Sequence, residues 1–146
     1  MANLVANLHE AVMAVLKEPE EIFAHVGGEA GIDDARVFGI EVPKAEAISM
    51  PRKCIVVRQS GLGGPVRSFV RLQQTLIDVA SFGETPYEAE LLRLDVNRFL
   101  KGFRRRMSQG FLLHSFDLVN GPIHLREEQT EWPYVLETWR CLASET

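Results

Sequence analysis

Few residues in this chain have the types and spacing that chemistry needs. The loop Gly61-Leu62-Gly63-Gly64 has the composition of a phosphate cradle. It joins two strand-like runs and opens no helix. No Gly-Lys-Ser/Thr follows it, and the dinucleotide fingerprint spacing is missing. Hairpin-loop flexibility is the better reading. The histidines His9, His25, His114 and His124 form no His-x-x-x-His pair, and the cysteines form no Cys-x-x-Cys pair. His114 and His124, joined by Asp117, meet only if their strands fold back on each other, and zinc sites show tighter local spacing. Strand-face or surface histidines are expected, with no metal site and no cofactor. No serine sits in a Gly-x-Ser-x-Gly elbow, and neither cysteine has a catalytic signature around it. Carboxylates gather at the start of a helix and in the run Glu127–Glu131, where solvated surface explains them. No nucleophile, base and orienting group can be assembled from these motifs, so an enzyme is not expected.

Other residues fit recognition better than catalysis. Arg98, Lys101, Arg104, Arg105 and Arg106 form a run with no acid among them. The run either complements a helix C-terminus or contacts phosphates or an acidic partner surface. Glu127, Glu128 and Glu131 crowd one loop with the opposite sign. Leu62 at a glycine-rich loop tip and Trp132 in a polar loop are apolar groups in exposed contexts. Each is a candidate docking anchor, or folds back onto its own domain. The candidate partner or subunit interface is therefore Leu62, Arg104, Arg105, Arg106, Glu127, Glu128, Glu131 and Trp132.

The elements that must position these residues are organised around Val70–Met107. A β-branched, apolar run ends at Ser81 and Gly83, as a buried strand does. Thr85-Pro86-Tyr87-Glu88 then reads as a helix start. Thr85 caps, Pro86 takes the first helical position, and Glu88 reaches back to the Thr85 amide. Ala89, Leu92, Val96, Phe99 and Phe103 continue one apolar stripe, so a helix is expected over Thr85–Met107 with acids at its start and bases at its end. Upstream, Asn3–Glu18 reads as a helix capped by Asn3 and ended by Pro19, with a short helical piece at Glu20–His25. Gly27–Ala35 is a loop, Arg36–Ile40 a short strand, and Lys44–Met50 an ambiguous connector. Arg52–Gln59 is a strand, and Ser60–Pro65 a loop. Val66–Ala80 is a long strand, antiparallel to the previous one. Its imperfect alternation suggests a bulge or strong twist near Thr75. Gly110–Val119 is a strand and Asn120-Gly121-Pro122 a turn. Ile123–Arg126 continues that strand or starts another. Pro133–Ala143 is the last strand. Helices and antiparallel strands in blocks imply an α+β domain, with a mixed or antiparallel sheet of four or five strands and two main helices packed on one face.

Composition agrees. The chain has 146 residues, 46% hydrophobic and 25% charged, which suits a single domain over 1–146. A net charge of −4 gives no global basic footprint for nucleic acid. It also favours protein acids over phosphates as partners of the arginines. No apolar run approaches a membrane span, and the N-terminus lacks a secretory pattern. Cys54 and Cys141 lie in apolar strand-like runs, where buried reduced thiols of a cytosolic product are expected rather than a disulfide.

Several pieces follow one another in order: the N-terminal helix, Arg36-Val37-Phe38 with Val42-Pro43, Met50-Pro51-Arg52-Lys53-Cys54-Ile55-Val56-Val57, the strand Gln73–Val79, Tyr87-Glu88-Ala89 opening the long helix, and Gly121-Pro122-Ile123-His124-Leu125-Arg126 ahead of Trp132-Pro133 and a closing strand. In that order they resemble the tail terminator (tail-completion) proteins of long-tailed bacteriophages, the lambda-like minor tail group. Together they cover most of the chain. The resemblance implies an α+β virion protein, assembled in the host cytoplasm, that forms a homo-hexameric ring at the phage neck. Such a ring ends tail-tube polymerisation and joins the tail to the head. Its implied partners are itself, the tail-tube protein and the head-closure (stopper) protein. DNA in the channel lies close by, and no membrane is involved. The resemblance brings no catalytic residues. Another neck protein, or a small α+β ligand-binding or enzyme domain with no visible site, is the alternative.

Overall fold

The computed structural model describes residues 4–27, 35–48, 50–59 and 72–145. The elements follow as α1 (Leu4–Leu16), α2 (Glu20–Val26), β1 (Val37–Gly39), α3 (Lys44–Ala47), β2 (Cys54–Gln59), β3 (Leu72–Phe82), α4 (Pro86–Lys101), β4 (Arg106–Ser108), β5 (Phe111–Arg126) and β6 (Pro133–Glu145). One sheet has the order β1-β2-β3-β6-β5-β4. Among the described residues only β1 and β2 pair in parallel, and the other strand pairs are antiparallel. The fold is thus α+β with a mixed sheet, as expected, but with six strands rather than four or five.

The helices pack on one face. From α4, Ala89, Leu92, Val96 and Leu100 are buried, and from α1, Leu8, Val12 and Leu16. They close over Ile55, Ile77, Val79 and Trp139 from three central strands. Fully burying such side chains contributes about 1.5–3 kcal/mol each, which makes this layer the main source of stability. Helix α1 touches both β1 and β4, the two ends of the sheet. Ser108 Oγ donates to the Ala11 carbonyl at 2.9 Å, and Gly39 lies so close that an added Cβ would meet Met13 Sδ at 3.1 Å. The sheet therefore curls around α1 and turns its other face outward.

The start of α4 follows its local chemistry. Thr85 Oγ1 accepts from Glu88 N at 3.2 Å, and Pro86 stands in the first turn. Glu88 Oε2 reaches back to the amide of Glu84 at 3.1 Å, one residue earlier than the capping-box pattern predicts. The helix ends sooner than its apolar stripe suggests. Gly102 caps it, with its N–H directed at the carbonyls of Arg98 and Leu100. Arg104 and Arg105 lie beyond it, and Arg106 belongs to β4, which a tight turn pairs with β5. That turn places Gln109 at φ 51° and Gly110 at φ 84°, the left-handed pair that a two-residue hairpin requires.

Three further expectations change. Strand β3 pairs with β6 in unbroken register from Leu72↔Ser144 to Phe82↔Tyr134, so no bulge lies near Thr75. Its alternation is imperfect because both of its faces carry apolar groups. The 120–122 segment is no chain-reversing turn. It lies within β5, where the register shifts against β6, and Gly121 takes φ 100°. Lys44–Met50, read as an ambiguous connector, holds a one-turn helix at Lys44–Ala47. The Asn3 cap, the 60–65 loop with Leu62, residues 66–71 of the expected strand and most of the 27–35 loop lie outside the described residues.

Candidate assembly surface

Strand register sets out the outward face residue by residue. In a strand pair, directly opposed residues point to the same side. Phe38, Val56, Ala80, Leu136 and Ile123 therefore form one row across five strands. Cys54, Phe82, Tyr134 and Leu125 form the next, and Arg58, Asp78, Thr138 and Asn120 a polar third. No helix of the main layer covers this face. Cys54, Val56 and Phe82 are buried there by Val42, Met50 and Trp132, and Tyr134 stacks on Phe82 with ring centroids 4.9 Å apart.

Between residues 40–42 and the 127–132 loop these rows form the floor of a groove of about 340 Å³. Val56, Ala80, Phe82, Tyr134 and Leu136 form the floor, and Trp132 stands in one wall. The rim is acidic: among the described residues it carries Glu41, Asp78 and Glu127 against one base, Arg58. Arg58 Nε lies 3.7 Å from Asp78, whose other oxygen accepts from Thr138 Oγ1 at 2.7 Å. Ile40, on the rim, is a β-branched residue at φ 71° with 63% of its surface exposed. Such a conformation is a genuine outlier and costs about 1–3 kcal/mol unless its surroundings enforce it. Here the Ile40 amide is tied to the Val57 carbonyl at 3.0 Å.

The candidate residues divide between this groove and a distant edge. Trp132 has folded back onto its own sheet as a half-buried wall of the groove. The Glu127 carboxylate organises its own loop. It accepts from Gln129 N at 3.1 Å, Thr130 N at 2.7 Å and Thr130 Oγ1 at 2.6 Å, and these bonds hold it below the usual Glu range. Glu128 and Glu131 are exposed in the same loop. Arg104 and Arg105 precede β4 and Arg106 opens it, at the opposite end of the sheet order from β1, and none of the three forms an ion pair with the acidic loop among the described residues. Arg106 pairs with Glu18 and lies over the Phe103 ring, 5.5 Å from its centroid. Among the described residues Arg104 and Arg105 have no ion pair. Leu62 is not among the described residues.

Sequence reasoning missed the groove floor and the rim residues Ile40, Glu41, Arg58 and Asp78. One signal was present: Cys54-Ile55-Val56-Val57 is continuously apolar, as a strand covered on both faces must be.

Polar groups also gather under α4. Glu137, on β6, is only 1% exposed. It accepts from Asn97 Nδ2 at 2.7 Å and lies 3.7 Å from an Arg93 nitrogen. Burial pushes its carboxyl above the ordinary range, and the Asn97 bond and the Arg93 charge offset that only in part. Arg93 also holds Glu90, which His124 bonds at 2.8 Å. Desolvation is the largest influence on Glu90 and acts upward, but the bonds from Arg93 and His124 together outweigh it and hold Glu90 low. His114 faces away from His124 and bonds Ser144 at 3.0 Å. Cys54 and Cys141 are buried free thiols, each pushed up to about 12 by burial.

No protein-family model matches the sequence, and no curated protein matches it. Among solved structures, the fold is similar to that of a chain in the virion of a native gene transfer agent (GTA) particle, with a TM-score of 0.65 and 14% identity, over 98% of this chain and 99% of that one. At that identity the likeness establishes a shared fold from one end of both chains to the other.

Proposed function

We propose that this chain is a structural virion protein, a ring-forming tail terminator at the neck of a phage-like particle. It ends tail-tube polymerisation there and joins the tail to the head. The observation that carries this reading is the end-to-end fold likeness to a chain of a gene transfer agent virion. The ordered resemblance of its sequence pieces to tail terminators adds the station along the neck. The outward face supports the same reading. An apolar sheet face with an acid-rimmed groove, and an edge elsewhere whose Arg104 and Arg105 have no ion pair among the described residues, suit a protein that works by contact. In this role the chain performs no catalysis and needs no cofactor. Its partners are further copies of itself in a hexamer, the tail-tube protein and the head-closure protein.

Electron microscopy of the purified protein, alone and with tail tubes lacking their end protein, tests this directly. Closed rings that cap tube ends and stop their growth are the expected result. Capping of heads without any binding to tubes would move the chain to the head side of the neck. Protein that stays monomeric at high concentration and on tubes would refute the assembly role.

A further inference from the structure

The groove and the arginine edge have matching chemistry. The groove offers an aromatic surface, with Tyr134 stacked on Phe82 and Trp132 beside them. Around it stand Glu41, Asp78 and Glu127, with the base Arg58 among them. The same hairpin loop adds Glu128 and Glu131, whose exposed carboxylates have no partner among the described residues. Residues 104–107 offer the complement. Arg104 and Arg105 are exposed and unpaired among the described residues, and Met107 is 54% exposed. Met107 pairs with Leu112 across β4 and β5, while the neighbouring pairs set Leu113 and Phe111 into the core. Met107 therefore stands on the outward face.

A guanidinium both stacks on aromatic rings and forks onto carboxylates. Arginine and methionine are enriched at protein interfaces, methionine because it fills irregular apolar gaps. We propose that the groove between residues 40–42 and the 127–132 loop receives the 104–107 edge of a second copy of this chain. This proposal rests on the assembly role above and adds which surfaces meet. Groove and edge lie at different places on the sheet, so the contact is heterologous and repeats from copy to copy. Such contacts close into a ring when the rotation between copies permits. The exposed Ile40 at the groove rim gains apolar cover in the same step.

A charge-swap experiment tests it. One variant is R104E/R105E and the other is E128R/E131R; Glu127 is left alone because it holds its own loop together. Sedimentation velocity of the full chain should show assembly of the wild type and self-association weakened about tenfold or more in each variant, since like charges then face each other. Mixing the two variants should restore assembly, because every reversed edge then meets a reversed groove. A variant that sediments like the wild type, or a mixture that stays dissociated, overturns the proposal. Wild-type rings that ignore both reversals leave the assembly role standing and remove only this contact. Rings that form normally while tube binding is lost would give the groove to the tail-tube protein and overturn the second-copy assignment. A monomeric wild type refutes both. As a separate readout, E41C/M107C should form a covalent ladder with a short bismaleimide, and neither single variant should. The buried native thiols do not compete. No ladder from the double variant overturns the docking.

Discussion

Removing Arg93 tests how the α4 layer is held to the sheet. R93M keeps the aliphatic stem of the side chain and removes its charge. Two carboxylates lose a partner, with unequal consequences. Glu90 retains 28% of its side-chain exposure and keeps His124, so water can replace the guanidinium. Glu137 is 1% exposed and keeps the Asn97 hydrogen bond, with smaller help from Trp139 and the Lys101 charge. Breaking a buried pair from one side costs about 3–5 kcal/mol. The Arg93–Glu137 contact is 3.7 Å rather than a short hydrogen bond, so the lower end applies and we expect a loss of about 3 kcal/mol at pH 7. E137Q should behave differently. Glutamine keeps an acceptor for Asn97 and removes the charge, so its effect should stay within about 1 kcal/mol. The double variant R93M/E137Q should recover most of the loss of R93M. The pH dependence has a definite sign. The Glu137 carboxyl is raised on folding, so its contribution is fully present below the ordinary Glu range and is lost as pH rises through the raised value. The R93M deficit should therefore shrink as pH falls and Glu137 takes up its proton. Urea unfolding followed by circular dichroism at pH 7 and at about pH 4.5, near the unperturbed Glu value, measures both effects. An equal deficit at the two pH values, or additive losses in the double variant, would refute the reasoning.

Three further outcomes are expected. T85A removes the hydroxyl that accepts from Glu88 N and should lower stability by about 1 kcal/mol in thermal unfolding. G121A places a Cβ 2.6 Å from the Leu136 carbonyl oxygen, at φ 100°, and should destabilise by about 2 kcal/mol or more in the same assay. Cys54 and Cys141, buried and with thiols pushed up to about 12, should resist a thiol reagent at pH 8 in the native protein and react once it is unfolded.

The legible parts of the fold were those whose causes are local. Thr85, Pro86 and Glu88 declare a helix start within four residues, and α4 begins there. The end of α4 was misread because Phe103 continues the helical spacing past Gly102. Phe103 does pack in the core, edge-on to Phe99 at 5.9 Å and to Phe116 at 4.9 Å, but from the turn after the helix. Burial of that ring was readable, whereas the backbone carrying it was not. Strand β4 is three residues long, and only its pairing across the Gln109-Gly110 turn makes it a strand. Periodicity cannot report an element of that length.

The groove was not legible, because its walls come from segments that only the sheet register unites. Residues 40–42 and the 127–132 loop are far apart in sequence, and β2, β3 and β6 join them side by side. Yet the irregularity that sequence reasoning assigned to a bulge or strong twist had the same cause as the groove. A sheet with helices on one face and water on the other alternates apolar and polar residues. Strand β3 departs from that rule through Leu76, Ala80 and Phe82, and β2 departs from it through Cys54 and Val56. Each departure falls on the outward face. The breaks in alternation therefore locate a second apolar surface, with Ile123 and Leu125 still exposed on it at 38% and 40%. The assembly role proposed above puts its partner there: on the face whose strands fail to read as solvated.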